Sequence, residues 1–195
     1  MYRDGHRTLQ DRFDSRRIAD RLEEVTVHAT FTDADRAFVQ GAPFFFLATA
    51  GSDGWPDCSY KGGAPGFVEI VDEKTLTWPD YDGNGQFRSL GNVIENPKVS
   101  LLFIDFANQR RLRIHGTAAL VFGGTEGADD ERLRVSLAVE RLFPNCPRYL
   151  HTMALAELSP YAPREGHEPP APSWKQDPRF ASCLPRREPT RRRGP

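Results

Sequence analysis

Long apolar runs are missing from this sequence. No stretch approaches the roughly 18 consecutive apolar residues that span a bilayer. An excess of one charge is missing too. The formal net charge is −1 and the pI about 6.5, so no bulk field draws the chain to nucleic acid or to an anionic membrane. Cysteine is scarce: Cys58, Cys146 and Cys183 are odd in number and far apart. That spacing matches neither a disulfide framework nor a zinc site, and it fits reduced thiols in a cytoplasmic protein. The first residues, MYRDGHRTLQDRF, carry arginines but no apolar stretch of a secretory signal. There is no HExxH, no P-loop, no GxGxxG and no Ser-His-Asp signature. These absences set aside a transmembrane protein, a disulfide scaffold and the commonest hydrolase and nucleotide motifs.

What is present suits one soluble domain. The chain has 195 residues, 27% charged and 38% hydrophobic, enough for a sizeable core. A single domain is expected over residues 1–158, with its core in about 40–158. From residue 159 onward prolines crowd in and apolar residues thin out, which predicts an extended arm over 159–195. The arm ends RREPTRRRGP. That block reads as a solvated end and not as a nucleic-acid site, because the body supplies no basic face.

Residues 8–24 space Leu9, Phe13, Ile18 and Leu22 near the helical period and predict an amphipathic helix. Thr32 and Asp35 predict the start of a short helix that ends at Gly41. Phe44–Ala50 reads as a buried strand. Ser52-Asp53-Gly54 is a hairpin turn signal, with Pro56–Gly62 as the partner strand. Residues 67–71 and 75–78 form a second hairpin. A helix is expected over 85–95, stopped at Asn96 by the following Pro97. Strands follow at 99–106 and 111–121. Gly123, Gly124 and Gly127 mark a loop. Leu133, Val135, Leu137 and Val139 alternate like a strand, although a helix also fits. A short helix is expected to open at Pro147 within 144–153. Many short strands with few long helices predict a mainly β fold, an antiparallel barrel with flanking helices.

The residues that carry chemistry fall in two clusters. Ser59 and Lys61, two apart on a strand, project to the same face. A hydroxyl beside an ammonium suits phosphate oxygens, and Gly62 and Gly63 leave room for close approach. On the expected helix, Arg88 and Asn92 lie one turn apart and Ser89 neighbours Asn92. They stand in the first turns, where backbone N–H groups favour an anion. Together the clusters point to a phosphorylated cofactor; an ordinary solvated face is the plainer reading of each alone. Trp78 and Pro79 leave a strand directly. Their backbone suits the edge of a flat ring, while the Trp78 side chain equally suits a core. Arg111, Arg113 and His115 share a strand face that suits a ring edge, a second subunit or solvent. Cys146, in FPNCPRY, has no partner base at a fixed spacing and is not read as a nucleophile.

These residues resemble a known family, the FMN-binding split-barrel proteins related to pyridoxamine 5'-phosphate oxidase. The resemblance is carried by Phe44–Ala50, by SYKGG from Ser59, and by Pro65-Gly66-Phe67-Val68. GNGQFRSLGNVIENPKVSLLF from Gly83 and the strand at 111–118 extend it. It implies a six-stranded antiparallel split β-barrel that forms a homodimer, with FMN in two grooves between the subunits. It implies that Lys61, Arg88 and Ser89 hold the FMN phosphate, with Ser89 where the oxidases typically carry lysine. Arg111 takes the position of a glutamine near the ring edge. The implied activity is hydride or electron transfer between FMN and a small-molecule substrate. The C-terminal segment departs from the tryptophan strand and Arg-Leu-x-Pro-like segment of the oxidases, which turns the expectation away from pyridoxamine phosphate. Two alternatives use the same scaffold: a non-catalytic flavin or tetrapyrrole carrier, and a deazaflavin (F420) reductase.

Overall fold

The computed structural model describes residues 1–123 and 133–185. The expected glycines at 124 and 127 and the arginine block at 186–193 lie outside the described residues.

Among the described residues seven antiparallel strands make one sheet, one more than the family resemblance implies. They are β1 (Phe44–Ala50), β2 (Pro56–Gly62), β3 (Glu69–Ile70), β4 (Thr75–Pro79), β5 (Lys98–Asp105), β6 (Arg110–Phe122) and β7 (Leu133–Pro144). Their order is β2-β1-β5-β6-β7-β4-β3. The extra strand is the two-residue β3, which pairs only with β4. The alternation at 133–139 resolves as strand, since β7 pairs with both β6 and β4.

Burial follows the two-residue period. Phe45, Leu47, Leu101, Phe103, Leu112 and Ile114 turn inward from β1, β5 and β6, and Leu76, Trp78, Val135 and Leu137 do so from β4 and β7. Phe45 sits among Phe103, Trp78 and Phe67, with ring centroids 5.0, 5.3 and 5.9 Å away. β1 and β4 lie near opposite ends of the strand order, so the Phe45–Trp78 contact closes the sheet into a barrel. The Lys61–Asp80 ion pair joins the same two ends on the polar side.

Among the described residues four α-helices flank the sheet: α1 (Asp4–Arg12), α2 (Arg16–Thr26), α3 (Asp33–Gly41) and α4 (Arg88–Glu95). The single helix expected over 8–24 is a hairpin of two. Asp14 takes a left-handed φ of 47°, which an L residue cannot hold inside a helix. Arg7 then reaches Asp20 at 2.6 Å across the hairpin. α3 begins as expected: the Thr32 hydroxyl accepts from the Asp35 N–H, and the Asp35 carboxylate accepts from the Thr32 N–H. Helix α4 starts later than 85, because Gly85 (φ 73°) and Phe87 (φ 48°) are both left-handed. Arg88 is therefore its first helical residue. No helix forms at 144–153. A single turn closes there, Leu150 N–H donating to the Pro147 carbonyl at 2.8 Å. Tyr149, with φ 67°, breaks it at once.

The segment after β7 returns to the barrel. Lys175 pairs with Asp82 at 2.5 Å, and Gln109 donates to the Leu150 carbonyl at 2.7 Å.

Candidate functional site

Helix α4 lies against the face of β2 that carries Asp57, Ser59 and Lys61. These three are half-buried, while Pro56, Cys58 and Tyr60, which alternate with them, are exposed. The strand period thus sets a row of carboxylate, hydroxyl and ammonium along one face. α4 buries Ser89, Leu90 and Val93 against the sheet. That burial brings the Ser89 hydroxyl to 2.8 Å from Asp57 Oδ2 and 3.0 Å from Ser59 Oγ. A hydroxyl has one hydrogen. With Ser89 donating to the carboxylate, the Ser59 hydroxyl supplies the hydrogen between the two serines.

Arg88 precedes Ser89 and is exposed. No hydrogen bond or ion pair engages its guanidinium among the described residues. Asn92, one turn on, donates to the buried Thr49 hydroxyl at 3.1 Å. That bond fastens α4 to β1. Lys61 stands 3.9 Å from Asp80. Burial pushes the Asp80 carboxyl above its ordinary range, and the Lys61 ammonium offsets part of that.

The tip of the β1–β2 hairpin is tied to the far end of α4. The Ser52 N–H and hydroxyl donate to Glu95 Oε2 at 3.1 and 2.9 Å, and they hold that carboxyl below its usual range. Between tip and helix runs an open groove of about 510 Å³, lined by Asp53, Trp55, Pro56, Asp57, Arg88 and Asn92.

The expected site residues therefore divide. Ser59 and Ser89 meet; Lys61 shares their strand face, and Arg88 flanks them. Trp78 is core: its side chain is 1% exposed, with its indole N–H unpartnered. Pro79 pairs with Arg134 on β7 and places Asp80 beside Lys61. Arg111, on β6, is not brought to the cluster. Its guanidinium donates to the Cys146 carbonyl, through Nε at 3.1 Å and also through Nη2. His115, on the same strand face, accepts from Arg141 at 3.2 Å. Sequence reasoning missed Asp57, Asp80 and Trp55. For Asp57 a signal existed, since it lies two residues before Ser59 on the same face.

The arrangement has the donors that a phosphate needs. They are the Ser59 hydroxyl, whose hydrogen can turn from Ser89, the unengaged Arg88 guanidinium and the first N–H groups of α4, with the loosely paired Lys61 ammonium farther along the strand. Asp57 opposes them most directly, with Asp53 in the adjoining groove and Asp80 beside Lys61. Among the described residues no cluster of three or more His, Cys, Asp or Glu side chains suits a metal, and no helix is long and apolar enough to cross a membrane.

Comparison with known proteins gives a family match. The model for pyridoxamine 5'-phosphate oxidase matches residues 31–166. No curated protein matches. Among solved structures, HupZ of Group A Streptococcus is 21% identical with a TM-score of 0.48, over 64% of this chain and 99% of that one. A putative pyridoxamine 5'-phosphate oxidase from Lactobacillus delbrueckii is 20% identical, TM-score 0.48, over 60% of this chain and 95% of that one. The conserved hypothetical protein Rv2991 from Mycobacterium tuberculosis is 18% identical, TM-score 0.45, over 65% and 93%.

Proposed function

This chain belongs to the pyridoxamine 5'-phosphate oxidase family, and on that footing we propose that it binds FMN and acts as a flavin-dependent oxidoreductase on a small-molecule substrate. The observation that carries the reading is the hydroxyl pair Ser59–Ser89, 3.0 Å apart, with unengaged Arg88 beside it and Lys61 along the same strand. In this reading Arg88 and the first-turn N–H groups of α4 hold the phosphate, and the Ser59 hydroxyl turns its one hydrogen from Ser89 to a phosphate oxygen while Ser89 goes on donating to Asp57. The 3.9 Å spacing from Asp80 leaves the Lys61 ammonium with donors for a ligand oxygen. FMN, when bound, supplies the hydride or electron chemistry. The chain's part is to hold and orient the cofactor, so the lack of a catalytic triad is no objection.

A homodimer belongs to the proposal. It is supported by the apolar side chains that the N-terminal hairpin leaves uncovered: Leu9, Phe13, Ile18, Leu22 and Val25 are all exposed. Helices of this length are marginal without a packed face. The exposed free thiols of Cys58, Cys146 and Cys183 suit a reducing cytoplasm.

The test is titration of purified protein into FMN, read by quenching of flavin fluorescence. Saturable binding at one FMN per chain is expected. Arg88→Ala should weaken it about tenfold, the scale of one hydrogen bond to a charged group. Absence of quenching at tens of micromolar protein would sink the reading. Light scattering at micromolar concentration should give twice the chain mass, and a monomeric mass would end the dimer.

A further inference from the structure

The groove beside the hydroxyl cluster has a chemistry that a terminal phosphate does not use. Trp55 lines it and is 78% exposed. A tryptophan left in water on a loop is usually a mobile one, but this loop is pinned. Gly54 N–H donates to the Gly51 carbonyl at 3.0 Å, and Trp55 N–H donates to Asp53 Oδ1 at 3.0 Å. Ser52 is clamped to Glu95 on α4. Gly51 itself lies so close to α4 that a Cβ there would meet Asn92 and Glu95 at 3.4 Å. The indole is thus carried on a fixed edge of the groove. Asp53 and Asp57 line the same space, with Arg88 opposite.

An aromatic face, two carboxylates and one guanidinium are the complement of a nucleotide. The base stacks on the indole, sugar hydroxyls donate to the carboxylates, and the phosphate meets the arginine. The volume of about 510 Å³ lies within the range of small-molecule sites. Charge also selects among ligands. The two carboxylates repel a tail of repeated acidic groups, and Asp57 disfavours a terminal dianion at Ser89. A phosphodiester carries one charge per phosphorus, and the ribose beyond it brings hydroxyl donors.

Resting on the flavin reading above, we propose that this groove seats the adenylate half of a dinucleotide, with Trp55 as its stacking platform. The adenylate belongs either to a flavin dinucleotide, which runs on from the phosphate cluster, or to a nicotinamide dinucleotide that brings electrons to the flavin.

Intrinsic tryptophan fluorescence tests this with AMP as the probe, because Trp78 is buried and Trp55 is the most exposed of the three tryptophans. AMP should quench the wild type and leave Trp55→Ala unchanged. In flavin titrations, FAD should bind about tenfold tighter than FMN, the scale of one base–aromatic stack. Trp55→Ala should erase that margin and Trp55→Phe should restore most of it, with FMN affinity within twofold throughout. If NADH rather than FAD shows the Trp55-dependent margin, the adenylate is that of the nicotinamide dinucleotide. AMP quenching without flavin binding would keep the groove and remove the flavin reading. No AMP quenching, or an FAD-to-FMN ratio and NADH affinity both indifferent to Trp55, would overturn the inference while FMN binding stood.

Discussion

Replacing Asp57 by asparagine should tighten the binding of FMN. Asp57 Oδ2 lies 2.8 Å from the Ser89 hydroxyl. A phosphate held beside that hydroxyl by Arg88 and the first N–H groups of α4 stands one further oxygen–oxygen contact away, roughly 3 Å. The carboxylate and the phosphate then stand about 6 Å apart. A phosphomonoester carries close to two negative charges at neutral pH. Even with the full dielectric of water, the repulsion is about 1.4 kcal/mol. The asparagine oxygen still accepts from Ser89, so the hydroxyl keeps its partner and the fold is spared. Affinity for FMN should therefore rise about tenfold in the variant. The assay is flavin fluorescence quenching at about 10 mM salt, where the screening length of about 30 Å leaves the effect intact. Riboflavin, which has no phosphate, is the control and should bind both proteins alike. An unchanged or weaker affinity for FMN would refute the reasoning. So would an equal gain for riboflavin, because the effect would then be steric.

Three further outcomes follow from the geometry. Gly116→Ala should destabilise the protein by about 3 kcal/mol, the upper part of the overpacking range: a Cβ there would stand 2.2 Å from the Ala138 carbonyl oxygen across the β6–β7 ladder. Urea unfolding measures this, and a loss under 1 kcal/mol would show that the bulge at His115/Gly116 absorbs the methyl. Asp35 is pushed up by burial, but the Thr32 hydroxyl, His28 and the Thr32 N–H outweigh that and hold its carboxyl below the ordinary 3.8. A lowered carboxylate stabilises the fold above its unfolded pKa and loses that contribution as pH falls through the folded value; Asp35→Asn should flatten the stability–pH curve below about pH 4, and a curve as steep as wild type would contradict the capping role. Burial first, then Arg141 and Arg113, hold the His115 ring below its usual 6.5. Protonation therefore works against the fold as pH drops from 6.5 toward the folded value. NMR titration should find the ring neutral at pH 6.5 and moved upward in Arg141→Gln; a midpoint at or above 6.5 in the wild type would be the contrary result.

Local patterns were legible, and contacts across the sheet were not. Thr32 and Asp35 bond to each other three residues apart, so the cap of α3 is written in adjacent letters. The strand period put Ser59 and Lys61 on one face without knowledge of any partner. The break at Asp14 and the late start of α4 escaped notice because non-glycine residues, Asp14 and Phe87, hold the left-handed turns. Composition marks such turns chiefly by glycine or asparagine. For Arg111 the strand face is legible, but the Cys146 carbonyl that the segment after β7 lays on its guanidinium is not, because it lies 35 residues on.

Asp57 is the instructive case. Its place beside Ser59 follows from the strand period, but its meaning comes from Ser89, 32 residues on. A carboxylate on a strand face is ordinary. A carboxylate that takes the hydrogen of a hydroxyl expected to hold phosphate changes what the site tolerates. Two cations, Lys61 and Arg88, stand against Asp57, Asp80 and Asp53. The site is therefore not a deep positive well for any anion. It favours a ligand whose phosphate is met by hydrogen bonds and whose remainder supplies donors to the carboxylates. That balance makes the charge on Asp57 and the exposed face of Trp55 the two levers by which ligand choice is altered without touching the barrel.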